Sequence, residues 1–255
     1  MMDSVTLSRH EPRRMRHETR RRTLTVQTIE QITPLMRRIH FSSSELEGFV
    51  SASPDDHIKL FFPSSDGALQ SRDFTPRAFD AARGILSIDF ALHQSGPATE
   101  WASQAHEGST LLIGGPRGSQ VVPDDFDWYL LVGDETALPA IGRRMEELRP
   151  GVPVTTIVVV ENEAERQATE SAVAWTPVWV YRRGDGSKDL ALLRDALAQH
   201  ELPAGEGYVW IAAEGQVAKA LRAYMMERGH PKEWMKSAGY WTRGQAGAHH
   251  ETFRD

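Results

Sequence analysis

The chain has 255 residues and a formal net charge of −6 at pH 7, and 40% of its residues are hydrophobic, enough for one large or two modest cores. It contains no cysteine, which excludes disulfides, thiolate nucleophiles, zinc knuckles and iron–sulfur clusters, so redox chemistry would require a bound cofactor. The acidic balance argues against nucleic acid as the main partner, and no run approaches the roughly 18 apolar residues of a membrane span. We expect a cytoplasmic, monomeric protein with no nucleic-acid or membrane partner.

The first 22 residues form a basic segment with its own charge balance. Seven arginines stand against Asp3, Glu11 and Glu18, which gives this segment a balance of +4. We expect residues 1–22 to be a solvated, flexible leader, with a nucleic-acid-binding arm as the alternative.

Residues 23–123 have the pattern of an antiparallel β domain. Short β-rich stretches recur at residues 24–33, 35–41, 57–62, 72–78, 85–92 and 110–114. Clusters of turn-forming residues, such as 51–54 and 63–67, separate them, and this spacing is typical of an antiparallel barrel.

An arginine, an aromatic residue and a threonine follow one another closely in this domain. Arg72 could pair with phosphate oxygens, Phe74 could cover the face of a planar ring, and Thr75 could hydrogen-bond the ring edge. These are the contacts that a flavin nucleotide needs. The alternative is an ordinary edge strand that ends at Pro76.

A second strand and a helix start complete this pattern. The apolar strand at residues 85–92 leads into Gly96 and Pro97, and proline at the first helical position leaves free amides that can bind a pyrophosphate. The candidate cofactor-binding residues of this second segment are Asp89, His93, Gly96, Ala98, Thr99 and Trp101. For His93 a purely structural role is the alternative.

Residues 124–255 change to a βα series. Nearly continuous apolar runs at residues 128–132, 154–160, 178–181 and 208–212 indicate buried parallel strands. Helical patterns at residues 137–148, 189–199 and 216–228 lie between or after them, and together they predict a doubly wound sheet.

Ligands of such sheets bind at the carboxyl ends of the strands. Asp134, Glu135 and Thr136 follow one strand and Glu214 follows another, so these four are our candidates for contact with a nicotinamide nucleotide. Turn residues chosen for geometry alone would look the same. Arginines 182 and 183 also follow a strand, where they could bind a 2′-phosphate or form a charged rim.

The motifs as a set resemble a known family. Residues 56–63, 71–76, 115–119, 214–215 and 239–241 are similar, in order, to those of the siderophore-interacting, NAD(P)H-dependent ferric-chelate reductases, a branch of the ferredoxin-reductase-like flavoproteins. The resemblance implies an FAD-binding antiparallel β-barrel at 23–123, an α/β domain for NADPH or NADH at 124–255, and cytoplasmic reduction of Fe(III) held by a siderophore. It adds Trp241 to the cofactor-binding candidates.

Two segments depart from the family pattern. Phe74 stands where the family usually carries tyrosine, so ring stacking is retained but a phenolic hydrogen bond is lost. Residues 133–139 keep the strand-to-helix turn but lack the glycine-rich fingerprint of dinucleotide sites, which leaves NADPH and NADH both open.

Substrate contacts would be made by cations, because ferric siderophores are commonly anionic. The resemblance places substrate-contacting groups at Lys59 and Arg117, with Lys236 as a third candidate, and ordinary solvated charges are the alternative. No histidine pair has a spacing typical of metal ligands, and no side chain is expected to act as nucleophile or base. A flavin reductase, a flavoprotein that serves a protein partner and a siderophore-binding protein without turnover are the competing interpretations.

Overall fold

The computed structural model describes residues 9–63, 68–92, 96–244 and 251–253. In chain order its strands are β1 Arg13–Arg16, β2 Arg21–Thr33, β3 Met36–Ser42, β4 Ile58–Pro63, β5 Leu69–Phe74, β6 Ala78–Asp80, β7 Ile85–Ala91, β8 Thr110–Gly114, β9 Gly118–Val121, β10 Trp128–Asp134, β11 Pro153–Val160, β12 Ala174–Tyr181, β13 Gly207–Glu214, β14 Met235–Trp241 and β15 Glu251–Thr252. The helices are α1 Pro97–Gln104, α2 Leu138–Glu147, α3 Asp189–Gln199 and α4 Gly215–Glu227.

The first part of the chain folds into a seven-stranded antiparallel sheet in the order β5-β4-β8-β2-β3-β7-β6. Alternate residues face its interior, as the period of a strand requires. Leu24 and Val26 of β2 and Ile58, Leu60 and Phe62 of β4 are at most 1% exposed. This apolar interior fixes the positions of β4, β5 and β7, which carry the candidate flavin residues.

The second part forms a parallel sheet in the order β12-β11-β10-β13-β14, with β15 added antiparallel at one edge. Helix α2 packs on one face through Leu138, Ile141 and Met145. Helices α3 and α4 pack on the other face, with Leu193 and Leu221 among their core residues. The predicted fold class, an antiparallel domain followed by a doubly wound α/β domain, is therefore confirmed.

Gly133 shows how closely the chain turns at the end of β10. A Cβ atom at this position would lie 2.4 Å from both the Ala137 side chain and the Ala212 carbonyl oxygen. Only glycine allows the segment that leads into α2 to approach the sheet this closely. The turn thereby brings Asp134, Glu135 and Thr136 to the carboxyl edge of the sheet.

The basic N-terminal segment differs from the flexible leader that the sequence indicated. Residues 13–16 pair antiparallel with β9, and the His17 amide donates to the Arg117 carbonyl oxygen over 3.0 Å. His10 is buried, stacks on the Phe126 ring with the centroids 3.8 Å apart, and its Nδ1 lies 2.7 Å from Asp125 Oδ1. Ring stacking and backbone pairing therefore hold the described part of this segment to the body of the protein.

Polar contacts join the two sheets. Asp55, in the loop before β4, accepts from Trp210 Nε1 over 3.0 Å and forms an ion pair with Lys236 of β14. A second ion pair joins Arg77, in the segment before β6, to Glu146 of α2. These contacts hold the two sheets against each other.

Within the described ranges, no helix combines the length and apolar character needed to cross a membrane. The same ranges contain no group of three or more His, Asp or Glu side chains arranged to hold a metal ion.

Candidate functional site

The two predicted flavin segments meet in one aromatic cluster. The ring of Phe74, at the end of β5, lies 4.9 Å from that of Phe90 on β7. Trp101 of α1 lies 5.8 Å from Phe90 and 6.1 Å from Phe62, between ring centroids. Phe74 and Trp101 both remain partly exposed, so each packs on the core and keeps some surface for a ligand.

Arg72 keeps a positive charge available beside this cluster. Its guanidinium donates to the Ser71 carbonyl oxygen over 2.9 Å and to Gln70 Oε1 over 3.2 Å, both of them neutral groups. Among the described residues it forms no ion pair. A partly exposed arginine without a carboxylate partner fits the predicted contact with phosphate.

Helix α1 begins without a side-chain cap. Gly96 precedes Pro97, and among the described residues no side chain accepts a hydrogen bond from the first turn. Ala98 packs against the core, and Thr99 Oγ1 lies 3.5 Å from the Ala91 carbonyl oxygen. The uncapped amides are compatible with an anionic group, and a contact with phosphate stays a prediction. His93 lies outside the described residues.

Asp89, predicted to contact the cofactor, pairs with arginine side chains of the protein. Its two carboxylate oxygens accept from Arg38 Nε over 2.6 Å and from Arg38 Nη2 over 2.9 Å, and Arg77 Nε lies 3.9 Å away. The carboxylate is buried. Its geometry supports a role in orienting Arg38, and a direct contact with a cofactor remains a prediction.

Thr75 connects the flavin segment to the second sheet. Its side chain is buried beside the phenol of Tyr240 on β14. Burial raises the pKa of Tyr240 well above its usual range, so this phenol stays protonated at neutral pH. The contact brings the end of β14, including Trp241, next to the first motif.

The structure brings several nucleotide candidates together at the carboxyl edge of the parallel sheet. Asp134 Oδ2 accepts from Trp241 Nε1 over 2.8 Å and from the Glu214 amide over 3.1 Å. Asp134 Oδ1 accepts from the amide of Thr136 over 2.9 Å and from its hydroxyl. Burial, with a contribution from the Glu135 carboxylate, raises the pKa of Asp134 to about 7. Asp134 thus joins Trp241, Glu214 and Thr136 in a single hydrogen-bond network.

Two of the acidic residues predicted to contact the nucleotide, Glu135 and Glu214, already accept hydrogen bonds from the protein. Both oxygens of Glu135 accept from Arg182 over 2.6 Å, and Arg182 also pairs with Asp189 over 3.0 Å. The Glu214 carboxylate caps α4 by accepting from the Gln216 amide over 2.8 Å and the Val217 amide over 3.1 Å. Because two buried carboxylates neutralise Arg182, its predicted contact with a 2′-phosphate is not supported by the geometry.

Sequence reasoning missed Arg243. Its guanidinium lies 5.8 Å from the centroid of the Trp241 ring, and Nη2 donates to the Gly186 carbonyl oxygen over 2.8 Å. It is exposed at the same edge as Asp134. The only sequence signal is its position two residues after Trp241, which is weak because the arginine itself belongs to no recognised motif.

The three predicted substrate cations have different environments. Arg117 is exposed, and among the described residues its side chain forms no ion pair. Lys59 is partly buried and its Nζ lies 3.0 Å from Asp73 Oδ1. Lys236 forms an ion pair with the buried carboxylate of Asp55, and its own side chain is only 13% exposed. Of these three cations, Arg117 is therefore the exposed one, whereas Lys59 and Lys236 each have a carboxylate partner in the protein.

Comparison with known proteins relates most of the chain to one group. Residues 25–71 and 65–120 match the family described as the siderophore-interacting FAD-binding domain, and residues 126–244 match the family described as siderophore-interacting protein. The chain is 35% identical over 252 residues to the NADPH-dependent ferric-chelate reductase of Escherichia coli K12, covering 90% of this chain and 96% of that protein.

Solved structures show the same relationship. A siderophore utilization protein from T. fusca superimposes with a TM-score of 0.87 at 35% identity, covering 93% of this chain and 98% of the other. A ferredoxin NADP+ reductase from Neisseria gonorrhoeae with bound FAD and NADP superimposes with a TM-score of 0.56 at 15% identity, over 82% of this chain and 92% of the other. The second likeness shows the fold alone.

Proposed function

The chain belongs to the siderophore-interacting protein family, and from that premise we propose that it is an FAD-dependent ferric-siderophore reductase that uses NADPH to convert chelated Fe(III) to Fe(II). The observation that carries the proposal is the 35% identity to an NADPH-dependent ferric-chelate reductase over nearly the full length of both chains. The residues of the candidate site fit the cofactors that this reaction needs.

FAD would be held at the edge of the antiparallel sheet. The guanidinium of Arg72 and the uncapped amides at the start of α1 would bind its phosphates, and Phe74 and Trp101 would pack against its planar surface. When bound, FAD accepts two electrons together and releases them one at a time, which joins a two-electron donor to a one-electron acceptor.

NADPH would bind at the carboxyl edge of the parallel sheet. The network of Asp134, Thr136 and Trp241 holds this edge rigid, since each of its donors is directed to an oxygen of Asp134. Arg243, exposed above Trp241, replaces Arg182 as our candidate for a 2′-phosphate contact. The contact of Thr75 with Tyr240 would keep this edge against the flavin segment.

The protein's contribution to iron reduction would be positional and electrostatic. Lys59 and Arg117 would hold an anionic chelate by charge, and no side chain is assigned to proton transfer or nucleophilic attack. Iron would leave after reduction because hard oxygen ligands prefer the more highly charged ion.

The proposal also assigns one cofactor to each of the two parts of the chain. Residues 23–123 would hold FAD and residues 124–255 the nicotinamide nucleotide, a division that the separate family matches support. We further propose that the protein works in the cytoplasm, where NADPH is supplied, and as a monomer. Light scattering of the purified protein tests the last point.

A two-stage anaerobic experiment tests the function. The purified protein should be yellow, NADPH should remove the flavin absorbance, and a ferric siderophore should restore it while an Fe(II)-specific chelator develops colour. Restoration by free flavin or by air, but not by any ferric chelate, would contradict the proposal. A protein that binds the siderophore but is not bleached by NADPH would contradict it as well.

A further inference from the structure

A basic cavity lies beside Arg117, one of the predicted substrate cations, and was not foreseen from the sequence. It has a volume of about 330 Å³, at the lower end of the range for small-molecule sites. The N-terminal segment contributes Arg16, Arg20 and Arg22 to its lining, and Val50 and Pro116 are among the other lining residues. Three arginines around so small a volume favour a compact anion.

Arg22 is the most informative group in this cavity because it is only 4% exposed. Its Nε donates to the Glu45 carbonyl oxygen over 2.8 Å, and its Nη1 donates to the Gly115 carbonyl oxygen over 3.2 Å. Both acceptors are neutral, and the nearby Glu45 carboxylate instead accepts from the Thr23 amide over 2.8 Å.

In the part of the chain that the structure describes, no carboxylate lies within ion-pairing distance of Arg22. Burial, with repulsion from Arg20, lowers the pKa of its guanidinium. The guanidinium lies over the Phe49 ring, 5.4 Å from its centroid, and the carboxylates of Glu18 and Glu45 attract it from a greater distance. A ligand anion in the adjoining cavity would add the direct ion pair that a buried cation favours.

One carboxylate of the protein, that of Glu18, competes with a ligand for an arginine at the rim of the cavity. Arg16 and Arg20 are exposed, and Arg20 Nη2 lies 2.8 Å from Glu18 Oε2, which also lines the cavity. An exposed pair of this kind is weak and can exchange its carboxylate for that of a ligand.

The cavity adjoins one of the residues assigned to the substrate. Gly115 and Pro116, which line it, lead directly to Arg117, and the amide of His17, which also lines it, donates to the Arg117 carbonyl oxygen over 3.0 Å. A ligand held by Arg117 could therefore extend an arm into the cavity.

We propose that this cavity is a carboxylate-binding subsite, formed by Arg16, Arg20 and Arg22, that holds the free carboxylate arm of an anionic ferric chelate. It rests on the proposed function for the identity of the ligand, but its capacity to bind a carboxylate does not. The subsite would select carboxylate-bearing chelates over neutral ones.

Citrate without iron is the probe for the subsite alone, measured by isothermal titration calorimetry. The wild type should bind it, and the double variant Arg16→Gln/Arg20→Gln should bind it about tenfold or more weakly, as expected when charged hydrogen bonds are lost. Arg13→Gln/Arg14→Gln is the matched control, because it removes two charges from the same segment away from the cavity. Its affinity should stay within about twofold of the wild type.

Glu18→Gln gives a test that damage to the fold cannot imitate. Removing the internal competitor should tighten citrate binding roughly twofold to fivefold, the worth of one exposed charge pair. Equal losses in the two double variants, no gain with Glu18→Gln, or tighter binding of inorganic phosphate than of citrate would each overturn the subsite. Because the rim residues are exposed, the test does not depend on substituting the buried Arg22.

Steady-state reduction then separates the subsite from the function. The ratio of KM for ferric citrate to KM for a neutral tris-hydroxamate chelate should rise about tenfold in Arg16→Gln/Arg20→Gln and stay constant in the control. An unchanged ratio would overturn the subsite while reduction itself stands. Absence of chelate reduction in the wild type would overturn the proposed function while citrate binding is still decided by calorimetry.

Discussion

Trp241 Nε1 donates a 2.8 Å hydrogen bond to Asp134 Oδ2 and so joins the last residue of β14 to the last residue of β10. Strand β13 lies between them in the sheet, so the contact spans the carboxyl edge. It fixes the partly exposed indole beside a carboxylate that is almost fully buried. The stability and protonation of this pair therefore determine the shape of the edge where we place the nicotinamide nucleotide.

The raised pKa of Asp134 makes the stability of the protein depend on pH. The folded pKa is about 7 and the ordinary value is 3.8, so between these values the folded state binds more protons than the unfolded state. The free energy of unfolding should accordingly fall as pH rises from about 4 to about 7, by a few kcal/mol at most.

Asp134→Asn should flatten this dependence, because the amide keeps an acceptor but cannot titrate. Urea unfolding at several pH values between 5 and 8 measures the effect. Asp185→Asn, which alters an exposed carboxylate whose pKa is lowered, is the control and should retain the wild-type slope. A slope in Asp134→Asn equal to that of the wild type would show that other groups cause the pH dependence.

The buried ion pair between Asp55 and Lys236 should matter for stability. Lys236→Met removes the ion-pair partner of the buried Asp55 carboxylate, which keeps Trp210 and Ser53 as its hydrogen-bond donors among the described residues. This should cost about 3 to 5 kcal/mol in the free energy of unfolding. Lys219→Met, on the exposed face of α4, should cost less than about 0.5 kcal/mol. If both variants unfolded at the same urea concentration, the pair would not join the two sheets as described.

Arg72→Ala should weaken FAD. Loss of a charged hydrogen bond to a phosphate costs about 1.5 to 3 kcal/mol of binding free energy, which is about tenfold to a hundredfold in Kd. Quenching of flavin fluorescence on titration into apoprotein measures the affinity. Arg83→Ala, in the exposed turn before β7, should bind FAD as the wild type does. Wild-type affinity in Arg72→Ala would remove Arg72 from the site.

Neutralising Lys59 and Arg117 together should raise KM for anionic ferric chelates, because uniform electrostatic binding is lost while kcat is little affected. Added salt should weaken the wild type more than the double variant, since exposed charges are screened over about 8 to 10 Å at moderate ionic strength. Steady-state rates with an anionic and a neutral chelate measure both effects, with Arg83→Gln/Lys219→Gln as the matched control. Equal increases in KM for the two chelates would mean that the pair supports the fold or the flavin site.

The sequence predicted the two sheets because their strands have strong patterns. The alternating apolar residues of β4 and the continuous apolar runs of β10 and β13 each match one kind of sheet. The ordered N-terminal segment was not predicted, since the short strand β1 is polar and its partner β9 lies about a hundred residues away in the chain. No local pattern can reveal such a pairing.

The site shows the same division between local and distant information. Phe74 and Trp101 were identified from motifs, and the structure brings them together around Phe90. The pairing of Lys236 with Asp55 joins residues far apart in sequence, so a lysine that looked available for substrate is occupied. The environment of Arg22 was also hidden, because neither its burial nor its neutral hydrogen-bond partners can be read from a run of three arginines.

The number of Fe(II) ions formed per NADPH oxidised tests the central claim most directly. NADPH carries two electrons and Fe(III) accepts one, so a reductase that passes both electrons through bound FAD should produce two Fe(II) per NADPH under anaerobic conditions, with no added free flavin. Both quantities can be followed by absorbance with a ferric siderophore and an Fe(II)-specific chelator. NADPH oxidation without Fe(II), or Fe(II) formed only when free flavin is added, would contradict the account.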